Sequence, residues 1–264
     1  LGDETMYFLY SNWYSKVMKK VLIILINQYD GLLCEGEMAS DLAKLNEINN
    51  PKIYTTYLGV PAERQSKLLR LNPDLSKNNL IFISTGPKGW RTYYKGLDIM
   101  INAFSKAYEI HNSLKFTIVG EWDLSLQEKL IKNCSTNCKE SIHFVGAKEN
   151  IDIYLSEASM YFHTSRGDAF PTVVLEAMTA GLIPLVSEWT GSKEFISAVD
   201  KNQVVALNEE LISLKIIEFT KMALEKRMLL ASKMREKSKK YTEEFALKHY
   251  QGTFDKVIED FKLI

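Results

Sequence analysis

From residue 79 onward, short apolar runs alternate with stretches in which apolar side chains recur every three or four positions. The runs at 80–84, 114–119, 142–145, 161–164, 183–187 and 204–207 predict strands. Between them, 97–109 carries Ile99, Met100, Ala103, Phe104 and Ala107 at helical spacing, and 124–132, 151–158, 172–180 and 191–196 also read as helices. Nearly continuous apolar strands alternating with helices require a parallel sheet covered on both faces, an α/β fold. In such a sheet ligands bind beyond the carboxyl ends of the strands, here 84–89, 120–122, 146–150, 165–171 and 188–191. Before residue 79 the pattern is sparser, with strands at 30–34 and 52–58, a helix at 37–46 and a polar hinge segment at 61–76. The apolar run 21–26, flanked by Lys19, Lys20 and Asn27, is far shorter than the roughly 20 residues a membrane span needs. It reads as buried core or, beside Tyr10, Trp13 and Tyr14, as an interfacial segment over residues 8–26. The chain beyond residue 209 is mostly helical. Residues 222–240 predict a solvated helix with one packed stripe, and 243–261 present Phe245, Tyr250, Phe254, Val257 and Phe261, an aromatic face that needs a docking surface.

Composition narrows the function. The 264 residues are 46% hydrophobic and 25% charged, which excludes disorder, and 13 glycines with 6 prolines exclude a collagen-like or linker-like chain. Lys+Arg 33 balances Asp+Glu 33, so there is no broad basic footprint for nucleic acid, although a local basic patch for a phosphorylated ligand is compatible. Three cysteines, Cys34, Cys134 and Cys138, are too few for a disulfide scaffold and predict a reducing, cytoplasmic setting. Cys134 and Cys138 have no second ligand pair nearby, so no metal is expected. His163 lies among apolar strand neighbours and reads as a core histidine. The chain opens on Leu1 with no basic signal-peptide start, and is expected to be an internal fragment.

The most informative stretch is 165–181, S-R-G-D-A-F-P-T-V-V-L-E-A-M-T-A-G. A strand ends, a glycine turn follows, and a helix opens near Pro171 and closes at Gly181. The amides of Phe170, Thr172 and Val173 would form a rim suited to an anion. Glu176 is a carboxylate in an otherwise apolar helix. It either accepts hydrogen bonds from a vicinal diol such as ribose or satisfies a partner inside the fold, and the residues alone leave both open.

This segment resembles the E-x7-E region of the retaining GT-B glycosyltransferases of the family 4 type, the glycosyl transferases group 1. The strand 183–187 and the G-x-x-E turn Gly191 to Glu194 follow in the family's order. Upstream, Y-K-G-L-D-I-M-I-N-A-F at 94–104 resembles the family's K-G-x-x-x-L-I-x-A-F signature. The resemblance covers residues 79–200 well. It extends loosely back through D-G-L-L-C-E and K-I-Y-T-T-Y-L-G-V-P, which look like the end of an amino-terminal domain.

The resemblance implies a GT-B fold in three parts: residues 1–75 as a partial acceptor-side α/β domain, 76–240 as a Rossmann-like nucleotide-sugar domain, and 241–264 as a helix crossing back to the first. It implies that Glu176 holds the donor ribose, that Lys95 grips the diphosphate, and that the accompanying arginine is Arg91, with Lys88 as its alternative. Asp168 stands where the family has a glutamate near the donor sugar, and Ala169 replaces a glycine. Gly86, Ala169, Phe170, Pro171 and Thr172 would line the phosphates and sugar. Gly120, Glu121, Val145, Gly146 and Ala147 would border the base, and Trp122 beside them either stacks or packs. The implied activity is retaining transfer of a sugar from a nucleotide-diphosphate donor to a glycan, lipid-linked or small-molecule hydroxyl. No cofactor is expected, and the inner face of a membrane is a compatible site of action. An inactive nucleotide-sugar-binding module of the same fold is the alternative. Two complete domains want about 300–400 residues, so the acceptor side is expected to be incomplete.

Overall fold

A computed structural model describes residues 15–49, 52–86 and 90–262. Two parallel sheets organise it. The small one pairs β1 (Gly31–Glu35) with β2 (Lys52–Thr56), joined through α2 (Gly36–Leu45) and preceded by α1 (Ser15–Ile26). The large one comprises β3 (Asn79–Ile83), β4 (Lys115–Val119), β5 (Ile142–Gly146), β6 (Met160–His163), β7 (Ile183–Ser187) and β8 (Val204–Val205). Its order is β5-β4-β3-β6-β7-β8, with every pairing parallel. Strands β6 and β7 are buried at every residue, as the unbroken apolar runs require of strands covered on both faces.

The connecting helices are α3 (Ala62–Leu68), α4 (Trp90–Lys95), α5 (Leu97–Tyr108), α6 (Leu124–Ile131), α7 (Thr136–Glu140), α8 (Asp152–Glu157), α9 (Thr172–Ala180) and α10 (Lys193–Ser197). They are followed by α11 (Glu209–Lys221), α12 (Leu224–Ser238) and α13 (Glu243–Lys262). The apolar stripe of α5 is its buried face, with Met100, Ala103, Phe104 and Ala107 fully enclosed. Cys138 lies in α7, whereas Cys134 precedes that helix.

The chain crosses between the two sheets at one place in two passes. Val60 N–H donates to the Tyr241 carbonyl and Glu243 N–H to the Val60 carbonyl, both at 3.0 Å. A side chain on Gly59 would collide with the Thr242 carbonyl at 2.1 Å, so glycine is what lets the passes touch. From there α13 runs over the small sheet. Tyr54 donates its hydroxyl proton to Asp260, Lys52 lies 3.2 Å from the same carboxylate, and the Phe261 ring lies 3.4 Å from where a Cβ on Gly31 would stand.

Two expectations need correction. The run 21–26 belongs to a helix rather than a core segment: Ile26 is buried, but Val21, Ile24 and Leu25 are 43%, 61% and 55% exposed. Half of each turn faces away from β1 and β2, because two strands offer too little surface to cover an apolar helix all round. The polar segment 61–76 folds its first part into α3. Between the strand expected at 80–84 and the helix expected at 97–109, Trp90–Lys95 forms a further helix, α4.

Candidate active site

The order in which strands are added reverses between β3 and β6: the chain leaves β3 toward β4 and β5, and leaves β6 toward β7 and β8. Connections that diverge in this way leave a crevice at the carboxyl ends of the two strands. The segments that follow β3 and β6 face each other across it, one ending α4 with Lys95, the other carrying Asp168.

Lys95 Nζ donates to Asp168 Oδ2 at 2.7 Å, and the two side chains are 12% and 6% exposed. His163, the last residue of β6, brings Nε2 within 3.1 Å of the same oxygen. Burial opposes charge on Asp168, but Lys95 first and His163 after it outweigh burial and hold the carboxyl down to about 2. Asp168 is therefore an anion locked to a cation, with His163 beneath both.

The local geometry follows from neighbouring residues. Gly96 has φ +67, and a Cβ there would come within 2.6 Å of the Thr164 carbonyl; the glycine after Lys95 lets α5 start against the end of β6. Arg166 fastens the facing segment. Its amide donates to the Tyr94 carbonyl at 2.8 Å, its guanidinium makes a two-pronged pair with Asp98 at 2.7 and 2.6 Å, and it lies 4.1 Å over the Tyr93 ring. This clamp fixes the separation of Lys95 and Asp168.

Beyond Asp168 the loop is wedged between both halves of the molecule. Ala169 is fully buried and packs with Cys34, Met38, Ala39 and Leu42 of the small sheet's unit. A Cβ on Gly36 would lie 2.8 Å from the Ala169 carbonyl, and one on Gly191 only 1.5 Å from it. Phe170 is buried against the rings of Phe195 and Tyr57, 5.7 and 6.1 Å away. Pro171 caps α9, and Gly181 ends it with φ 95, returning its amide to the Ala177 and Met178 carbonyls. In the first turn of α9 the Val174 amide donates to the Pro171 carbonyl at 3.0 Å, and the amides of Thr172 and Val173 have no acceptor within their own helix.

Glu176 is on the partly open side of α9, its side chain 19% exposed. Its Oε2 accepts a hydrogen bond from Arg64 Nε at 2.9 Å. Arg64 reaches from α3 and also donates from Nη1 to Asp152 Oδ1 at 2.5 Å.

At the ends of β4 and β5, Gly120 (φ 128) and Gly146 (φ 73) form a bridge in which Gly120 N–H donates to the Gly146 carbonyl at 2.9 Å. The Glu121 carbonyl accepts from Gly86 N–H at 3.0 Å. Nothing lies within 4 Å of where a Cβ on Gly146 would stand, Val145 is half-buried and Ala147 is exposed. Trp122 packs rather than presenting a free face: it is 4% exposed, and its indole N–H donates to the Ser84 carbonyl at 2.9 Å.

The structure thus joins Lys95 to Asp168, and places Ala169, Phe170 and Pro171, all buried, and the half-buried Thr172 in the segment that leads from Asp168 into α9. It gathers Gly86, Gly120, Glu121, Val145, Gly146 and Ala147 at the neighbouring strand ends, and ties Glu176 to Arg64. Arg91 falls on α4 one turn before Lys95, and Lys88 lies outside the described residues. Glu194 stands in the first turn of α10, where burial, with Glu37 and Asp41 adding repulsion, pushes its carboxyl up. His163 was legible only as a core residue, and its contact with Asp168 carried no sequence signal beyond a strand-end position. Arg64 was hidden in a polar segment, 112 positions from Glu176. Among the described residues, no three His, Cys, Asp or Glu side chains converge as metal ligands, and no helix is long and apolar enough to cross a membrane.

Comparison with known proteins bears on the fold and the family. The fission-yeast (Schizosaccharomyces pombe) phosphatidylinositol N-acetylglucosaminyltransferase gpi3 subunit is 21% identical over 184 residues, 69% of this chain and 39% of that protein. The Escherichia coli lipopolysaccharide glucosyltransferase WaaG is 26% identical over 160 residues, 60% of this chain and 37% of that protein. The chain therefore spans about two fifths of the length of these relatives. Among solved structures, WaaG superposes with a TM-score of 0.64 at 18% identity, covering 81% of this chain and 61% of its own. TarM gives 0.69 at 20% identity, covering 91% of this chain and 46% of its own. These glycosyltransferases share the parallel-sheet GT-B architecture described above. The family model for glycosyl transferases group 1 matches residues 73–244, which contain the whole of the large sheet, and the chain belongs to that family.

Proposed function

We propose that this chain carries the donor half of a retaining glycosyltransferase, which moves a sugar from a nucleoside-diphosphate sugar to a hydroxyl of a glycan, a lipid-linked glycan or a small molecule. The observation that carries the reading is the Lys95–Asp168 pair, set at the switch point of the sheet beside the open end of α9. When the glycosidic bond to the diphosphate breaks, negative charge builds on the leaving phosphate while the sugar becomes oxocarbenium-like. Positive groups already fixed at that position stabilise the developing charge with little reorganisation. An ammonium has three donors, so Lys95 can keep Asp168 and still donate to a phosphate oxygen. The amides opening α9 would add a second source of positive charge, and no metal enters this reading. Asp168, already an anion, would act on the cationic sugar electrostatically, with attack from the face the diphosphate leaves. Arg91, one turn before Lys95 on α4, would be the arginine that accompanies it at the diphosphate. Glu176 would accept from the ribose hydroxyls, and the strand-end glycines Gly120 and Gly146 would leave room for the base.

The names of similar proteins support a nucleotide sugar as donor. One TarM structure is a complex containing UDP, and another neighbour is described as bound with UDP-2-fluoro glucose. A membrane-borne acceptor is favoured by relatives named for phosphatidylinositol and lipopolysaccharide and by the exposed apolar side of α1. The test is thermal unfolding with UDP, GDP, ADP and TDP. One of them should raise the midpoint, since a ligand at about 100 times its Kd adds about 2.7 kcal/mol to the folded state. If none does, the assignment fails. Slow hydrolysis of the matching nucleotide sugar separates an active donor half from a binding module, which would bind nucleotide and release no sugar.

A further inference from the structure

We propose that Arg64 is a donor-binding residue, supplied from α3 at the hinge, that positions Glu176 and itself donates to the nucleoside. The inference rests on the reading of Glu176 as the ribose acceptor. Three observations carry it. First, Arg64 bridges two carboxylates from different helices of the sheet domain, Glu176 of α9 and Asp152 of α8. The three side chains are only 19–22% exposed. Second, its contact to Glu176 uses Nε and a single oxygen, Oε2. The other oxygen stays available to a hydroxyl, with the carboxylate plane held fixed. Third, Arg64 Nη2 is buried and has no hydrogen-bond partner.

A guanidinium has five donors in a rigid fork. Leaving one of them buried and unpaired is costly. Two prongs of this fork are occupied by acids that hold it still, and the third is unmet. In the reading above the nucleoside lies between Glu176 and the strand-end glycines Gly120 and Gly146. A ribose hydroxyl oxygen or a base carbonyl placed there would complete the fork. Arg64 belongs to the segment that leads out of Val60, where the chain crosses between the two sheets. Nucleoside binding would therefore be felt at the hinge.

A purely structural ion pair would lower stability when broken and would treat all ligands alike. The proposed role separates ligands by whether they carry a nucleoside. The experiment measures binding of UDP, GDP and ADP, and of inorganic pyrophosphate as the phosphate-only probe, to wild type, Arg64→Met, Arg64→Lys and Glu176→Gln by titration calorimetry. For the nucleotide that binds best, Arg64→Met should weaken binding about tenfold or more, the scale of one lost charge-assisted hydrogen bond. Pyrophosphate binding should stay within about twofold, and Arg64→Lys should recover only part of the loss, because an ammonium lacks the fork. In a Glu176→Gln background the effect of Arg64→Met should shrink, which marks the two as one unit. Equal weakening of nucleotide and pyrophosphate overturns the proposal, as does unchanged nucleotide binding in Arg64→Met. Tighter nucleotide binding in that variant also overturns it, because Arg64 would then be a plug in the pocket. If wild type binds pyrophosphate but no nucleotide, or neither, the reading of Glu176 falls and this inference falls with it. Nucleotide binding that is insensitive to Arg64 leaves that reading standing and removes this inference alone.

Discussion

Replacing Asp168 by asparagine tests the electrostatics of the site most directly. The carboxyl falls from an ordinary 3.8 to about 2 in the folded chain, which corresponds to about 2–3 kcal/mol of stability at roughly 1.4 kcal/mol per pH unit. Removing one partner of a buried pair outright typically costs about 3–5 kcal/mol, because the other charge is stranded. Asparagine keeps an acceptor for Lys95, so the lower figure governs and Asp168→Asn should lose about 2–3 kcal/mol at neutral pH. The sign with pH is fixed by the direction of the shift. A carboxyl whose folded value is depressed stabilises fully above its unfolded value, here about 4, and that contribution is lost as pH falls toward about 2. Urea unfolding of wild type and variant at a series of pH values reads both quantities. The difference between the two proteins should be constant from about pH 7 to 5 and narrow steadily below about pH 4. A difference under about 0.5 kcal/mol at neutral pH, or one that does not narrow in acid, refutes the claim that Lys95 and His163 hold Asp168 ionised.

Two further outcomes follow from the same geometry. Arg166→Met should lower stability by about 1–2 kcal/mol, discounted because Asp98 is partly solvated. Thermal unfolding of Arg166→Met, Asp98→Asn and the double variant should show losses that do not add, since both break one pair. In the Cys134–Cys138 pair, the Cys138 thiol is the leading influence that holds Cys134 below the ordinary thiol range, against burial. Cys138→Ala should therefore move the pH midpoint of Cys134 alkylation upward, measured by mass spectrometry of the labelled peptide.

The large sheet was legible because strand after strand from residue 80 is apolar on both faces, and the helices between them repeat at three and four. The pair Lys95–Asp168 was legible only as two motif residues: nothing local brings positions 73 apart together, and it is the strand order that does so. His163 is the core histidine that the sequence reads it as, 1% exposed, but its contact with Asp168 was illegible for the same reason. A histidine among Met160, Tyr161 and Phe162 looks like packing, and its contact with Asp168 exists because the loop folds back over the strand end. Arg64 shows a different limit. Its helix has no apolar stripe to announce burial, and its partners lie on two other helices. The helix α1 was unreadable because its run of apolar residues is too even to reveal which side is covered.

Ala169 shows how the site loop also holds the molecule together. The family pattern has glycine at this position, and here the methyl group is fully buried among Cys34, Met38, Ala39 and Leu42, while the carbonyl lies against Gly36 and Gly191. The side chain that departs from the pattern is thus the one that joins the loop after β6 to the small sheet's unit. Ala169→Gly should remove about 0.8 kcal/mol of apolar burial and add about 0.5–1 kcal/mol of chain entropy in the unfolded state. The two losses act at different places. The entropy term lowers global stability, whereas the lost contact releases the small sheet's unit from the loop. Hydrogen exchange resolves them, because local opening is reported amide by amide. Amides of α2 and β1 should lose about 1–2 kcal/mol of protection, while those of β3, β6 and β7 lose only the smaller global share. A uniform loss across both sheets would mean that the methyl group contributes nothing to the junction, and that the alanine is tolerated in the loop rather than used there.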